Sequence, residues 1–323
     1  MDYSIIIPTY NSEKYIEKCL KSILSSLFNK KFEIIVVDDN SSDLTIEKVT
    51  ALGVRLIKHK KNHGPSFSRN QGAKIANGNT LIFIDSDIMI YSDTLKKIDR
   101  FFAEKNDFSG VSGNYEPFCS MKNFISQFKN LLAYYARINQ PKNVDWAQSS
   151  LFAIKASAFK SVGGFNEDLR HCEDVMLGKT LVQNNYNLAF CNILKIQHMK
   201  TYSFLSFLKE RIERSQIRIV IRLSGKTKKM VSSKDSISSK SIYAMYLFLL
   251  LPTSIFLGQI NIHYALIPFF SFYAVNFEFL SLCKTTFGKI FLIKSSFMIL
   301  LDCTICWFGI FLGCIDFLKG RRI

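Results

Sequence analysis

The chain has 323 residues, 42 Lys and Arg against 26 Asp and Glu, a formal net charge of +16, and 48% hydrophobic residues. That length buries a core without disulfide or metal staples, 29 Phe with 13 Tyr exclude a solvated coil, and eight dispersed Cys exclude a small disulfide scaffold. The charge is uneven: net +4 over residues 1–194, +9 over 195–240 and +3 over 241–323. A basic segment running into the most apolar part of the chain reads as a juxtamembrane zone facing anionic lipid. A nucleic-acid surface is disfavoured, because no nucleic-acid motif accompanies the basic cluster.

The first eight residues, MDYSIIIP, begin with an acid and lack a basic n-region, so no signal peptide is expected. Residues 4–7 form a short strand ending at Pro8. Asn11 or Ser12 caps a helix in which Ile16, Leu20, Ile23, Leu24 and Leu27 recur at helical spacing. Residues 32–37 are a continuous apolar strand, the pattern of a sheet covered on both faces. Residues 41–51 predict a helix, 54–57 a strand, 65–76 a helix with Pro65 in its first turn, and 80–84 a further buried strand. Strands and helices alternating with short connections predict a parallel, doubly wound α/β sheet. Ligands of such sheets bind beyond the carboxyl ends of the strands.

Those strand ends are polar. The first ends in Pro8, Thr9, Tyr10 and Asn11, the second in Asp38 and Asp39, the fourth in Asp85, Ser86 and Asp87. No GxGxxG follows the first strand and no GxxxxGK[ST] occurs, so neither a nicotinamide cofactor nor a P-loop is expected. Two carboxylates one residue apart repel unless a positive group sits beside them. A divalent cation held by carboxylates and substrate phosphates satisfies that requirement, as does a solvated turn.

The segments SIIIPTYNSEKYIEKCLKSIL, EIIVVDDNSSD, NHGPSFSRNQGAKIANGNTLIFIDSD and GGFNEDLRHCEDVMLGKTL, in this order, resemble the family 2 glycosyltransferases of GT-A fold over roughly residues 3–200. The resemblance implies a donor-binding half (1–110) and an acceptor half (111–200) in one domain, 1–200. It implies that Pro8, Thr9 and Tyr10 line the nucleotide base and that Asp39 hydrogen-bonds it, with uracil expected, while Asp38 supports the loop. Arg69 would sit near the base or diphosphate, although an ion pair with a crevice Asp is an equal reading. Asp85 would lie near the ribose and metal, and Asp87 would hold Mn or Mg on the diphosphate of a nucleotide-sugar donor. His198 stands where some relatives place a third metal or diphosphate contact. An acceptor hydroxyl needs a general base; the resemblance gives Asp174 that role, with Glu173 the alternate. The segment Trp146-Ala147-Gln148-Ser149-Ser150 offers amide and hydroxyl groups near the acceptor without a recognisable code, and no Q-x-x-R-W motif of processive synthases is present.

Residues 201–241 are expected as a basic juxtamembrane helix and linker, with Arg211, Arg214, Arg218 and Arg222 near one face, open to lipid phosphate or to solvent. Residues 242–318 are expected to form a transmembrane region, with spans at about 242–258, 262–282 and 290–318, the last either crossing once, which puts Lys319, Arg321 and Arg322 outside, or bending back. The distribution of Lys and Arg places the catalytic domain on the cytoplasmic side of a multi-pass cell-membrane protein. Asp302 inside a span is either functional or bundle-facing. Gly309 and Gly313 form a small-xxx-small pair, and Cys303 and Cys306 read as buried apolar groups. The expectation is an inverting transferase acting on a lipid-linked or membrane-proximal acceptor in envelope polysaccharide or glycolipid synthesis. A polyprenyl-phosphate glycosyltransferase is the alternative. A nucleotidyltransferase lacks its Gly-rich first loop here, and a non-catalytic membrane scaffold would not need Asp39, Asp87 and Asp174 together.

Overall fold

The computed structural model describes residues 1–169, 171–224 and 263–320. They fall into two compact units: Met1–Met121 with Ile138–Thr201, and Lys122–Arg137 with the described part of Tyr202–Ile323. The expected boundary near residue 200 is therefore incomplete, because one internal helix clusters with the C-terminal helices. The expected span at 242–258 lies outside the described residues.

The first unit is built on a nine-stranded mixed sheet of order β3-β2-β1-β4-β8-β6-β9-β5, with β7 on β9. Its strands are β1 (Tyr3–Thr9), β2 (Phe32–Asp38), β3 (Arg55–Lys58), β4 (Thr80–Ile84), β5 (Ile88–Ile90), β6 (Phe108–Tyr115), β7 (Asn143–Val144), β8 (Leu151–Lys155) and β9 (Asn187–His198). The helices are α1 (Ile16–Leu24), α2 (Thr45–Ala51), α3 (Pro65–Ile75), α4 (Thr94–Glu104), α6 (Ala156–Ser161) and α7 (Glu173–Gln183). The first four strands pair in parallel as expected, and β8 then joins β4 antiparallel. β1 can carry Pro8 because its pairing with β4 stops at Ile6, two residues earlier. Apolar runs such as β1 and β2 bury both faces. Ile5, Ile7, Val36 and Ile84 pack with Leu20 and Ile98 on one side, while Ile6, Phe83 and Phe152 pack with Ala73, Leu177 and Leu181 on the other.

Two helix starts differ from expectation. α1 begins at Ile16 with Tyr15 as its cap residue, whereas Asn11 and Ser12 lie in the preceding loop. α2 begins at Thr45 rather than at residue 41, because Ser41 and Ser42 are occupied elsewhere. Ser41 donates its backbone N–H and Oγ to Asp38, and the Ser42 backbone N–H donates to Asn11 Oδ1.

The second unit comprises α5 (Phe124–Ile138), α8 (Phe204–Leu223), α9 (His263–Val275), α10 (Phe277–Phe287) and α11 (Lys289–Leu318). Phe128, Phe207, Phe272, Phe279, Met298 and Ile299 form its core. The apolar stretch expected as one span at 262–282 is two helices, bent by 56° at Asn276. α11 is one unbroken helix, long and apolar enough to cross a membrane by length and composition. It packs along α8: a Cβ on Gly309 would lie 2.6 Å from the Ile212 carbonyl oxygen, and one on Gly313 would lie 2.2 Å from the Ile219 side chain. Asp302 faces α8, not lipid, and accepts from Arg211 Nε and Nη2 at 2.5 Å each. Cys303 and Cys306 are buried beside it.

Candidate active site

The polar strand ends converge on the first unit's crevice, and two networks organise it. The first holds the base side. The Asp39 N–H donates to the Thr9 carbonyl at 2.8 Å, locking the ends of β1 and β2 together. The Asp39 carboxylate accepts from the backbone N–H groups of His63 and Gly64, at 3.0 and 2.7 Å, and lies 2.9 Å from His59 Nδ1. Asp39 thus anchors the turn that launches α3, where Gly64 at φ 94° adopts a conformation disfavoured for L side chains. His59 stacks edge-on to Phe67, which packs flat on His63. Thr9 Oγ1 and His59 Nε2 are buried without a hydrogen-bond partner. Tyr10 is 52% exposed at the rim. His59 was not legible as a site residue: it follows Asp39 by twenty positions, and only the parallel register Asp38↔Lys58 brings it alongside.

The second network surrounds Arg69. Arg69 is 3% exposed, and its guanidinium bridges two carboxylates, with Nη2 on Asp85 Oδ1 at 2.7 Å and Nη1 on Glu173 Oε1 at 2.8 Å. Burial works against its charge, but Asp85 and Glu173 outweigh that cost and hold its pKa above the ordinary arginine value. Glu173 responds oppositely: burial and neighbouring Asp174 raise its pKa well above the usual carboxylate range, with Arg69 only partly compensating. The other Asp85 oxygen accepts from Ser150 Oγ at 3.0 Å, and Ser150 Oγ lies 2.7 Å from Tyr115 Oη. Asp85, expected at the ribose and metal, and Arg69, expected at the base or diphosphate, are thus tied to each other.

Asp174 is placed differently from its neighbour. It lies in the first turn of α7, where the helix dipole favours a carboxylate. Oδ1 accepts from the Val175 N–H at 2.8 Å, and Oδ2 accepts weakly from Ser149, at 3.3 Å from N and 3.5 Å from Oγ. The preceding Cys172 has φ 63°, a left-handed conformation that turns the chain sharply into the helix. Gly178 lets α7 sit directly on the acceptor segment, since a Cβ there would lie 2.4 Å from Trp146 Cα. Within that segment Gln148 is 2% exposed, and neither amide atom has a hydrogen-bond partner.

Asp87 and His198 meet across β5 and β9, with His198 Nε2 3.5 Å from Asp87 Oδ2. One carboxylate and one imidazole form a partial donor set for a divalent cation, the imidazole favouring Mn over the harder Mg, and leave other positions for phosphate oxygens and water. Among the described residues no group of three His, Cys, Asp or Glu side chains could hold a metal.

Residues 4–163 match the glycosyl transferase family 2 model. The chain is 38% identical over 129 residues to the poly(ribitol-phosphate) beta-N-acetylglucosaminyltransferase TarS of Staphylococcus aureus, a match covering 36% of this chain and 22% of that protein. It is 35% identical over 130 residues to the poly(ribitol-phosphate) beta-glucosyltransferase of Bacillus spizizenii, covering 36% and 20% respectively. The chain thus matches about a fifth of these relatives' own length. Among solved structures, the mannosyltransferase PcManGT from Pyrobaculum calidifontis, in complex with GDP-Man and Mn2+, is similar with a TM-score of 0.61 at 16% identity, over 99% of this chain and 88% of that one. S. aureus TarS 1–349 in complex with UDP-GlcNAc is similar with a TM-score of 0.53 at 20% identity, over 100% and 93%. The alternation of strands and helices, the acidic strand ends and the family match agree: the first unit has the GT-A fold, and the chain carries a glycosyl transferase family 2 domain.

Proposed function

We propose that the chain is an inverting glycosyltransferase that moves a sugar from a nucleoside-diphosphate donor, with UDP as the expected carrier, to a hydroxyl of a membrane-proximal or lipid-linked envelope acceptor. The observation that carries this reading is the unequal treatment of two adjacent carboxylates. Glu173 is buried against Arg69, whereas Asp174 is held only by backbone and serine donors at the head of α7. Asp174 is therefore the group available to take the acceptor proton. As it does so, the acceptor oxygen bonds the anomeric carbon, and the bond from that carbon to the diphosphate oxygen breaks on the opposite face. Arg69 and Glu173 keep Asp85 and α7 in register so that donor and base stay aligned.

Asp87 and His198 would hold a divalent cation, which supplies charge stabilisation to the departing diphosphate. Asp39, with the His63 and Gly64 amides, shapes the base end, and Thr9 offers an unpaired buried hydroxyl there. Gln148, whose amide is unsatisfied, is the side chain we assign to a sugar or acceptor hydroxyl. The names of the relatives, both transferases to a poly(ribitol-phosphate) chain, support an envelope polymer as acceptor.

The test is donor hydrolysis across UDP-, GDP- and dTDP-sugars with Mn2+, by the wild type beside Asp87→Ala. The reading expects cation-dependent turnover of one donor, reduced by a hundredfold or more in the variant, on the order expected for loss of a catalytic charge contact. Turnover that is indifferent to both cation and variant would overturn the assignment of Asp87. Supplying polyprenyl phosphate or a polymer acceptor to the same assay separates the two acceptor classes.

A further inference from the structure

We infer that α11 lies along a membrane surface instead of crossing it, with one face sunk among the acyl chains of an anionic bilayer. The exposed apolar residues of this helix gather on one side, with Phe317, in the last turn and 38% exposed, the exception. Ile290, Ile293, Phe297, Phe308 and Phe311 are 52–73% exposed, and Leu318 is 82% exposed. At about 100° per residue they fall within an arc of roughly 100°, a continuous apolar stripe along the whole helix. Thr304, in the same arc, is exposed as well. The opposite face carries the polar and small groups, Asp302, Gly309 and Gly313, and every one of them contacts α8.

The character of α8 decides between crossing and lying flat. The two helices run in the same direction, since Arg211 meets Asp302 and Cys306 while Gln216 meets Asp316 further along both. An α11 inserted upright would carry α8 into the hydrocarbon with it. Arg211 could go, because Asp302 neutralises it. Lys209, Glu213 and Arg214 could not, as their side chains are 78%, 42% and 48% exposed. A charged side chain at the bilayer centre costs about 3 kcal/mol even by the mildest scale. Lys209 pairs with Glu213 and Arg214 with Glu210, but these pairs lie open on the surface of α8, where Arg211 and Asp302 are enclosed between the helices.

Length points the same way. Thirty residues of helix measure about 45 Å against a hydrocarbon core of about 30 Å. Lying in the interface removes both conflicts, with the stripe in the acyl layer and α8 on the watery side. Lys294 and Lys319, exposed along the stripe's margin, can extend to anionic headgroups. The inference deepens the membrane attachment in the proposed function by assigning its geometry, and it does not depend on catalytic activity.

The test uses the full chain with Trp307→Phe, which removes the native indole of α11, and then Ile293→Trp, Thr304→Trp or Phe311→Trp one at a time. Each is bound to phosphatidylcholine–phosphatidylglycerol vesicles containing lipids brominated at different acyl depths. An in-plane helix gives the same quenching profile at all three positions. A spanning helix gives three different depths, with Thr304 the deepest, and that result overturns the inference. As a second arm, Phe308→Asp with Phe311→Asp should reduce vesicle flotation at least tenfold while the melting temperature stays near wild type. Undiminished flotation together with a shift from dimer to monomer would assign the stripe to a second copy of the chain instead. Because neither arm reads turnover, a failed donor assay and a failed topology remain distinguishable.

Discussion

Two arginines organise the two units, and they differ in what they hold. Arg69 joins a strand end to a helix start, with Asp85 on one side and Glu173 on the other. Arg211 joins α8 to α11 through the single carboxylate of Asp302. Both guanidiniums pay desolvation by burial and recover it through carboxylates, but Arg69 has two partners, each with a neighbouring acid. Asp87 lies two positions after Asp85, and Asp174 directly follows Glu173. Removing Arg69 therefore exposes a concentration of negative charge, whereas removing Arg211 leaves one orphan acid. The comparison teaches that the same ion-pair chemistry joins two helices in one place and ties a strand end to the head of α7 in the other.

The largest expected effect follows from Arg69→Ala. It should destabilise the first unit by about 4 kcal/mol or more, the cost of leaving buried charges unpaired, and abolish turnover with it. Thermal unfolding and donor hydrolysis check both, and a stable, active variant would break the comparison. Next comes Arg211→Ala, expected to cost about 3 kcal/mol, at the low end because the Arg211 side chain keeps 25% exposure. The double variant Arg211→Met with Asp302→Leu should recover most of that loss, since an apolar pair of similar volume can replace a buried ion pair. Apolar replacements around Arg69 are expected to recover stability in the same way but not turnover, if Asp85 and Glu173 keep donor and base aligned as proposed. Gly178→Ala should cost a few kcal/mol and raise KM for the acceptor, since its Cβ would meet the Trp146 backbone.

A smaller effect concerns pH. Burial raises the Glu173 pKa in the folded chain, so the folded state holds a proton that the unfolded state has released. Its contribution to stability is fully present below the ordinary glutamate pKa and declines as pH rises through the raised value. Chemical denaturation between pH 4 and about 8 should show that decline, and Glu173→Gln should flatten it.

Much of the first unit was legible because its strands are short apolar runs bounded by acids, Pro and Gly. Residues 80–84 are β4 residue for residue, and α3 begins at Pro65 as its fixed φ favours. α2 started late because Ser41 and Ser42 bond to Asp38 and Asn11, a loop interaction that helix periodicity does not register. The acids of the crevice were visible singly, but their partners were not. That Arg69 reaches Glu173, 104 residues away, is set by the packing of α3 and α7 on one face of the sheet. Gln148 was visible only as part of an acceptor segment without a code, and His59 not at all; the unpartnered Gln148 amide and His59 Nε2 come from the packing. In the second unit hydropathy located the apolar segments but could not tell lipid from α8. The Asp302 partner lies 91 residues earlier in a stretch that reads, by charge alone, as solvated.

The central claim is the division of labour between Glu173 and Asp174, and single-turnover kinetics of Asp174→Asn beside donor affinity test it most directly. The account predicts nucleotide-sugar binding within about threefold of wild type and a chemical step slowed by about 10³, in the range for loss of a general base. An Asp174→Asn enzyme that turns over at the wild-type rate, while Glu173→Gln does not, would contradict it and move the reacting proton to Glu173.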